Sequence, residues 1–217
     1  MSRPKIGVIG SGDVGKRLAG AFAKLGHPVM LGTREPSRED VQAWLKEAGH
    51  GARAGTNAEA ARFGDIIVLA TDWSGTENAL RLAGAPNLQG KVLLDVTNPL
   101  SYRDGAPPLL AVSGEDSGAE RVQRWAPGAK VVKSLNVVNN AQMADPKAFG
   151  NPTMFVAGDE GAKKVVEGLL RELGWDDVID LGGLEGARML EAMALVWIVH
   201  GFRTGKWTHA LKMLPAR

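Results

Sequence analysis

The sequence predicts a doubly wound α/β protein: a mostly parallel sheet with helices on both faces and a helical C-terminal end. Three observations carry this. Short, wholly apolar runs alternate with amphipathic stretches of helical length. A Gly-x-Gly-x-x-Gly motif follows directly on the first apolar run. The 28 glycines among 217 residues gather where the two kinds of segment meet, not in low-complexity tracts.

Residues 5–9 (KIGVI) form an apolar run closed by Gly10, the pattern of a strand buried on both faces. Leu18, Ala21, Phe22 and Leu25 then recur at helical spacing, with Gly26 as the stop. Residues 28–31 read as a second strand. Ser37, with Asp40 three residues on, reads as a capping box opening a helix whose inner face is Val41, Trp44, Leu45 and Ala48. Residues 65–70 (DIIVLA) and 91–96 (KVLLDV) are further buried strands, with a helix over 76–82 between them. The Gly-, Pro- and acid-rich stretch 101–118 reads as a long surface loop. Residues 130–135 (KVVKSL) are the next strand, and a Gly-Asn-Pro turn at 150–152 leads into another at 154–157. A helix over 160–173, a last strand over 178–181 and a strongly apolar helix over 188–200 complete the chain. There is no internal repeat and no long linker. The expected division is a nucleotide-binding domain over 1–149 and a smaller α/β lobe over 150–217, closely packed on it.

Composition narrows the function. Basic and acidic residues interleave to a net charge of only +2, and the six Trp are scattered, so no nucleic-acid surface is expected. With no Cys there is no disulfide, thiolate metal site or Cys nucleophile. His27, His50, His200 and His209 are too dispersed to form a metal site, so none is expected. The longest apolar stretch, near 192–199, falls far short of the ~18 residues of a membrane span. The N-terminal MSRPKIGVIG enters a strand without a secretory apolar segment. A soluble, cytoplasmic protein is expected.

The glycine motif is Gly10-Ser11-Gly12-Asp13-Val14-Gly15, lying between a strand and a helix. That setting is the Rossmann-like dinucleotide fingerprint. Gly10 permits the sharp turn, Gly12 lets the backbone approach a pyrophosphate, and Gly15 lets the helix pack close to the sheet. NAD sites place a carboxylate on the ribose hydroxyls about twenty residues after the glycines. Here that place holds Thr33-Arg34, followed by Ser37 and Arg38. A carboxylate there would repel a 2′-phosphate, and arginine reverses the preference. The coenzyme predicted is NADP(H), with Glu35 turned to water.

GVIGSGDVGKRLA at 7–19, LGTRE at 31–35, VLLDVTNPL at 92–100, KVVKSLNVVN at 130–139 and DLGGLEGARMLEAM at 180–193 resemble the NADPH-dependent reductases of the deazaflavin coenzyme F420. They are also similar to the cytosolic domain of six-transmembrane metalloreductases. The resemblance implies a homodimer whose nicotinamide lies across the carboxyl ends of the strands. It implies that Ala70 and Thr71 pass near the ribose beside the nicotinamide. Thr97, Asn98 and Pro99 would flank the same half, with Asn136 and Val137 by the carboxamide or the acceptor cleft. The archaeal members carry His in place of Asn136, and hydroxyl residues in place of Ala192 and Ala194. These departures fall at the acceptor cleft and leave the NADP half intact; the resemblance as a whole implies a flavin or a deazaflavin as acceptor.

Hydride transfer to a flavin-like ring needs stacking and alignment more than acid–base groups, so no catalytic side chain is assigned. Two other readings stay open: an NADPH-dependent reductase of a small carbonyl or imine, and a non-catalytic NADP(H)-sensing module. GFRTGKWT at 201–208 is one residue short of a phosphate loop and follows a helix, so it is not read as one. The apolar helix over 188–200 suits either core packing or a dimer interface.

Overall fold

The computed structural model describes residues 3–214. One compact unit holds the chain up to Thr97 together with Val122–Val131; the other holds Asn98–Arg121 and the chain from Val132 onward.

The first unit runs β1 (Ile6–Ile9), α1 (Asp13–Lys24), β2 (Val29–Thr33), α2 (Glu39–Ala48), β3 (Arg53–Thr56), α3 (Asn57–Phe63), β4 (Ile66–Leu69), α4 (Trp73–Ala83), α5 (Ala85–Leu88) and β5 (Val92–Asp95). The strands pair in parallel, in the order β3-β2-β1-β4-β5. Every residue of β1 and β4 is buried. A strand covered on both faces has no side that must be polar, which is why IGVI and IIVL show no alternation. Leu18, Ala19, Phe22 and Ala23 form the buried stripe of α1.

Two expectations fail here. The capping box does not form at Ser37: α2 begins at Glu39, its N-cap is Arg38, and no side chain caps it. The Asp40 carboxylate is instead engaged by Arg38 and Lys16, and cannot turn back to Ser37. A capping box does form at α3, where Glu59 N–H donates to Thr56 Oγ1 (3.2 Å) and Thr56 N–H to Glu59 Oε2 (2.7 Å). The inner face of α2 is Val41, Trp44 and Ala48, with Leu45 only half-buried.

The stretch after β5 is not a bare loop. β6 (Leu100–Arg103) and β7 (Ala106–Leu110) form an antiparallel ribbon turning at Gly105, whose φ is +65°. Asp104-Gly105 is a hairpin turn pair, and a two-stranded ribbon tolerates Pro107 and Pro108 because neither strand is central. α6 (Gly118–Trp125) follows, then β8 (Lys130–Lys133), α7 (Asn140–Ala144), β9 (Met154–Gly158), α8 (Glu160–Glu172), β10 (Val178–Asp180) and α9 (Ala187–Thr204).

β8 belongs to both units. Lys130 N–H donates to Lys91 O in the first (2.8 Å), and Val132 and Lys133 pair with β9 in the second. The hydrogen-bonded order is thus β10-β9-β8-β5-β4-β1-β2-β3. β9 runs antiparallel to β8 and parallel to β10, so this Rossmann-like sheet is mostly, not wholly, parallel.

Candidate functional site

The turn from β1 into α1 contains two kinds of glycine. Gly10 has φ +118°, and a Cβ there would lie 2.2 Å from Ala70 O. A Cβ on Gly15 would lie 1.9 Å from Gly10 O. Packing demands both. Gly12 differs: nothing lies within 4 Å of a Cβ placed on it, so the protein's own atoms do not require glycine there. Gly12 is also the N-cap of α1 and offers no side chain to the first-turn amides. An open backbone beside uncapped amides, at the positive end of a helix dipole, fits a bridging phosphate. Of the remaining turn residues, Ser11 and Val14 are half-buried and Asp13 is exposed.

Beside this turn stands a basic cluster. Ser11 Oγ donates to the buried Thr33 Oγ1 (3.0 Å), tying the turn to the end of β2. Arg34 is exposed and makes no hydrogen bond or ion pair among the described residues. Glu35 is also exposed, as expected. Arg38 Nη2 lies 3.5 Å from Ser11 Oγ and donates to Asp40 Oδ2 at 2.7 Å. Lys16, from the first turns of α1, binds the same carboxylate. The bond from Arg38, and then that from Lys16, holds the Asp40 carboxyl well below the usual range, while Asp40 pushes the Arg38 guanidinium up. Ser37 is exposed and caps nothing. Sequence reading missed Lys16 and missed this role of Asp40. Their signals were slight: a Lys directly after the third glycine, and an Asp two residues after an Arg.

Two further strand ends in this unit are well ordered by hydrogen bonds. Ala70 N–H donates to Ile9 O at 2.8 Å, continuing the β1–β4 ladder. Thr76 Oγ1 donates to Asp72 O (3.0 Å), so its 2.9 Å contact with Thr71 Oγ1 uses the Thr71 proton. Thr97 donates both its N–H (2.9 Å) and its hydroxyl (2.7 Å) to the buried Asp95 Oδ1. Asp95 is a positioning group that sequence reading also missed, although Asp-x-Thr is the spacing of such a turn.

In the second unit Asn98 and Asn136 are reciprocal partners. Asn98 Nδ2 donates to Asn136 O (2.8 Å), and Asn136 Nδ2 donates to Asn98 Oδ1 (2.9 Å) and to Leu190 O (3.0 Å). Asn136 Oδ1 is buried without a hydrogen-bond partner among the described residues. The preceding Leu135 has φ +62°, an unusual conformation for a branched residue, and it turns the chain at the end of β8. Pro99 and Val137 are buried. On α9, Ala192 is exposed and Ala194 fully buried, so the two positions do not share a face. Among the described residues no group of His, Asp and Glu could hold a metal ion, and no helix is long and apolar enough to cross a membrane.

The family described as NADP oxidoreductase, coenzyme F420-dependent, matches residues 5–99. The F420-dependent NADP reductase of Methanocaldococcus jannaschii is 31% identical over 202 residues, covering 87% of this chain and 88% of the relative. The chain belongs to this family of F420-dependent NADP oxidoreductases. A crystal structure of a provisionally assigned family member from Arthrobacter sp. FB24 matches with a TM-score of 0.93 at 41% identity, over 98% of this chain and 100% of the other. The metalloreductase STEAP3 of Rattus norvegicus is 31% identical over 193 residues; this oxidoreductase matches 88% of its own length there but spans only 36% of STEAP3. Membership makes this chain an NADP-dependent oxidoreductase, with NADP as its coenzyme.

Proposed function

We propose that this oxidoreductase moves hydride between NADPH and a deazaflavin or flavin, and that it grips NADPH through the 2′-phosphate. The observation that carries the reading is the pair of arginines that follow β2, where an NAD site would present a carboxylate: Arg34, exposed and unbonded among the described residues, and Arg38 beside Ser11, which is itself bonded to Thr33. Each charged hydrogen bond to the phosphate contributes roughly 1.5–3 kcal/mol. Ser37 lies between the two arginines and is exposed, available as a further donor. The pyrophosphate would cross the open face of Gly12, framed by Gly10, Ser11, Asp13, Val14 and Gly15.

Ala70, Thr71 and Thr97 end strands on the ligand side of such a sheet and would line the nicotinamide half. The family resemblance implies that Asn98, Pro99, Asn136 and Val137 would face the carboxamide or the acceptor. The unpartnered Asn136 Oδ1 suits an incoming N–H, since a buried acceptor left without a donor costs about 1–3 kcal/mol. When bound, nicotinamide supplies the hydride; the chain's residues bind, align and exclude water. Met189 (59% exposed) and Val196 (62%), seven residues apart on α9, present an apolar face suited to a second copy of the chain.

The test is NADPH oxidation by the purified protein, offered coenzyme F420, FMN and FAD in parallel with panels of carbonyls and imines. Turnover with the deazaflavin or a flavin is expected. Turnover confined to carbonyls or imines, or tight NADPH binding without turnover on any panel, would replace this reading.

A further inference from the structure

The carboxylate missing from the end of β2 reappears seven positions beyond Thr33, in the first turn of α2. We propose that this residue, Asp40, determines coenzyme specificity: it occupies the cations that a 2′-phosphate needs, and so restrains the preference for NADPH over NADH. The inference deepens the coenzyme-site reading above and rests on it.

One carboxylate here bridges three elements. It accepts from Arg38 at the N-cap of α2 and from Lys16 on α1, and Arg38 reaches from it to within 3.5 Å of Ser11 in the glycine turn. Arg38 and Asp40 are about half exposed, at 44% and 49%, so water and ligand can reach both. An exposed pair of this kind is weakly held. A phosphate dianion offers more charge and more acceptor oxygens than a carboxylate, and can take over both cations.

Displacing Asp40 from its partners does not remove its charge. The residue stays within a helical turn of the phosphate and repels it. Lys16, Arg38 and Asp40 sum to a charge of +1, and without the acid to +2. Glu35 also faces Arg38 electrostatically, more weakly than Asp40 does. Arg34 has no acid bound to it and serves the phosphate in either case. A unit charge about 6 Å from a phosphate in a solvated site changes binding about threefold to tenfold.

The test uses Asp40→Asn and Asp40→Ala in the full chain, with calorimetric binding of NADPH, NADH, adenosine 2′,5′-bisphosphate and adenosine 5′-monophosphate. Both variants should bind NADPH and the bisphosphate about threefold to tenfold more tightly at low salt, and the gain should shrink as salt screens the repulsion. NADH and the monophosphate should be unchanged. The melting temperature should hold, because Asp40 is exposed. Unchanged or weakened NADPH binding in both variants overturns the role of Asp40. If the unmodified protein itself shows no preference for the bisphosphate over the monophosphate, the coenzyme-site reading fails, and this inference with it.

Discussion

Lys133 Nζ stands 3.1 Å from Glu191 Oε1, and both side chains are buried, at 0% and 1% exposure. The same carboxylate accepts the N–H groups of Gly118 (2.8 Å) and Ala119 (3.1 Å), where α6 begins. A buried charge is tolerable when a counter-charge and further donors replace its hydration, and Glu191 has both. The arrangement binds the end of β8, the start of α6 and the middle of α9 into one polar knot. It lies close in sequence to Asn136, whose amide reaches Leu190 O on the residue next to Glu191.

Cutting that knot should be costly. Glu191→Ala takes a carboxylate away from the buried Lys133 ammonium and removes the acceptor of two helix amides. A loss of about 3–5 kcal/mol is expected, measured as a lower urea midpoint in equilibrium unfolding. Glu191→Gln keeps an acceptor for an amide and should lose less. A midpoint unmoved in Glu191→Ala would mean that water or another group replaces the carboxylate.

The glycine turn makes a paired prediction. Gly15→Ala drives a methyl to 1.9 Å from Gly10 O, so either β1 and α1 separate or the turn distorts; a large fall in melting temperature should follow. Gly12→Ala meets nothing within 4 Å, and its melting temperature should stay close to that of the unmodified protein. If the pyrophosphate crosses that open face, Gly12→Ala should nonetheless weaken NADPH at least tenfold. Intact stability together with intact binding would show that the coenzyme takes another path.

Much of this molecule is legible in its sequence, and the exceptions have physical causes. β1 and α1 declare themselves because an apolar run and a helical stripe are local patterns. β3 and α3 escape because Arg53 and Thr56 leave β3 half polar, and α3 buries only Asn57 and two small residues, Ala60 and Ala61, that barely register as an apolar face. The Thr56–Glu59 box was the available signal, and Ser37–Asp40 imitates it. β6 and β7 hide behind two prolines that usually mean loop. At the site, Gly10 and Gly15 follow from backbone geometry alone. The engagement of Asp40 by Lys16 does not, because it depends on how α1 and α2 meet. The pairing of Lys133 with Glu191 is equally non-local.

Acid should expose a second ion pair. Arg188 donates through Nε to Glu120 Oε2 (2.9 Å) and through Nη2 to Oε1 (2.6 Å), a two-pronged contact only partly open to water. That bond, opposed by partial burial, holds the Glu120 carboxyl below its ordinary value of 4.5. A depressed folded-state value means stability present above the unfolded value and lost as pH falls through the folded one. The pair should contribute about 1 kcal/mol at neutral pH. Melting curves taken downward from about pH 5 should therefore fall more steeply for the unmodified protein than for Arg188→Gln, the gap closing at the acid end. Parallel curves would show that Arg188 does not set the Glu120 titration.

Arg34 provides the sharpest test of the coenzyme reading. Its guanidinium is exposed and holds no described residue, so Arg34→Ala removes a charge without opening the fold, and stability should be unchanged. If Arg34 reads the 2′-phosphate, NADPH binding should weaken at least tenfold while NADH binding barely moves. Arg34→Lys, which keeps the charge but not the planar fork, should fall between the two. Arg38→Ala offers a contrast: it removes one phosphate ligand but also frees Asp40 from its nearest cation, so it should cost NADPH more than Arg34→Ala does. Equal losses for NADPH and NADH in Arg34→Ala would mean that the arginine lies against the adenine and not the phosphate, which would leave the preference for NADP to Arg38 and Lys16.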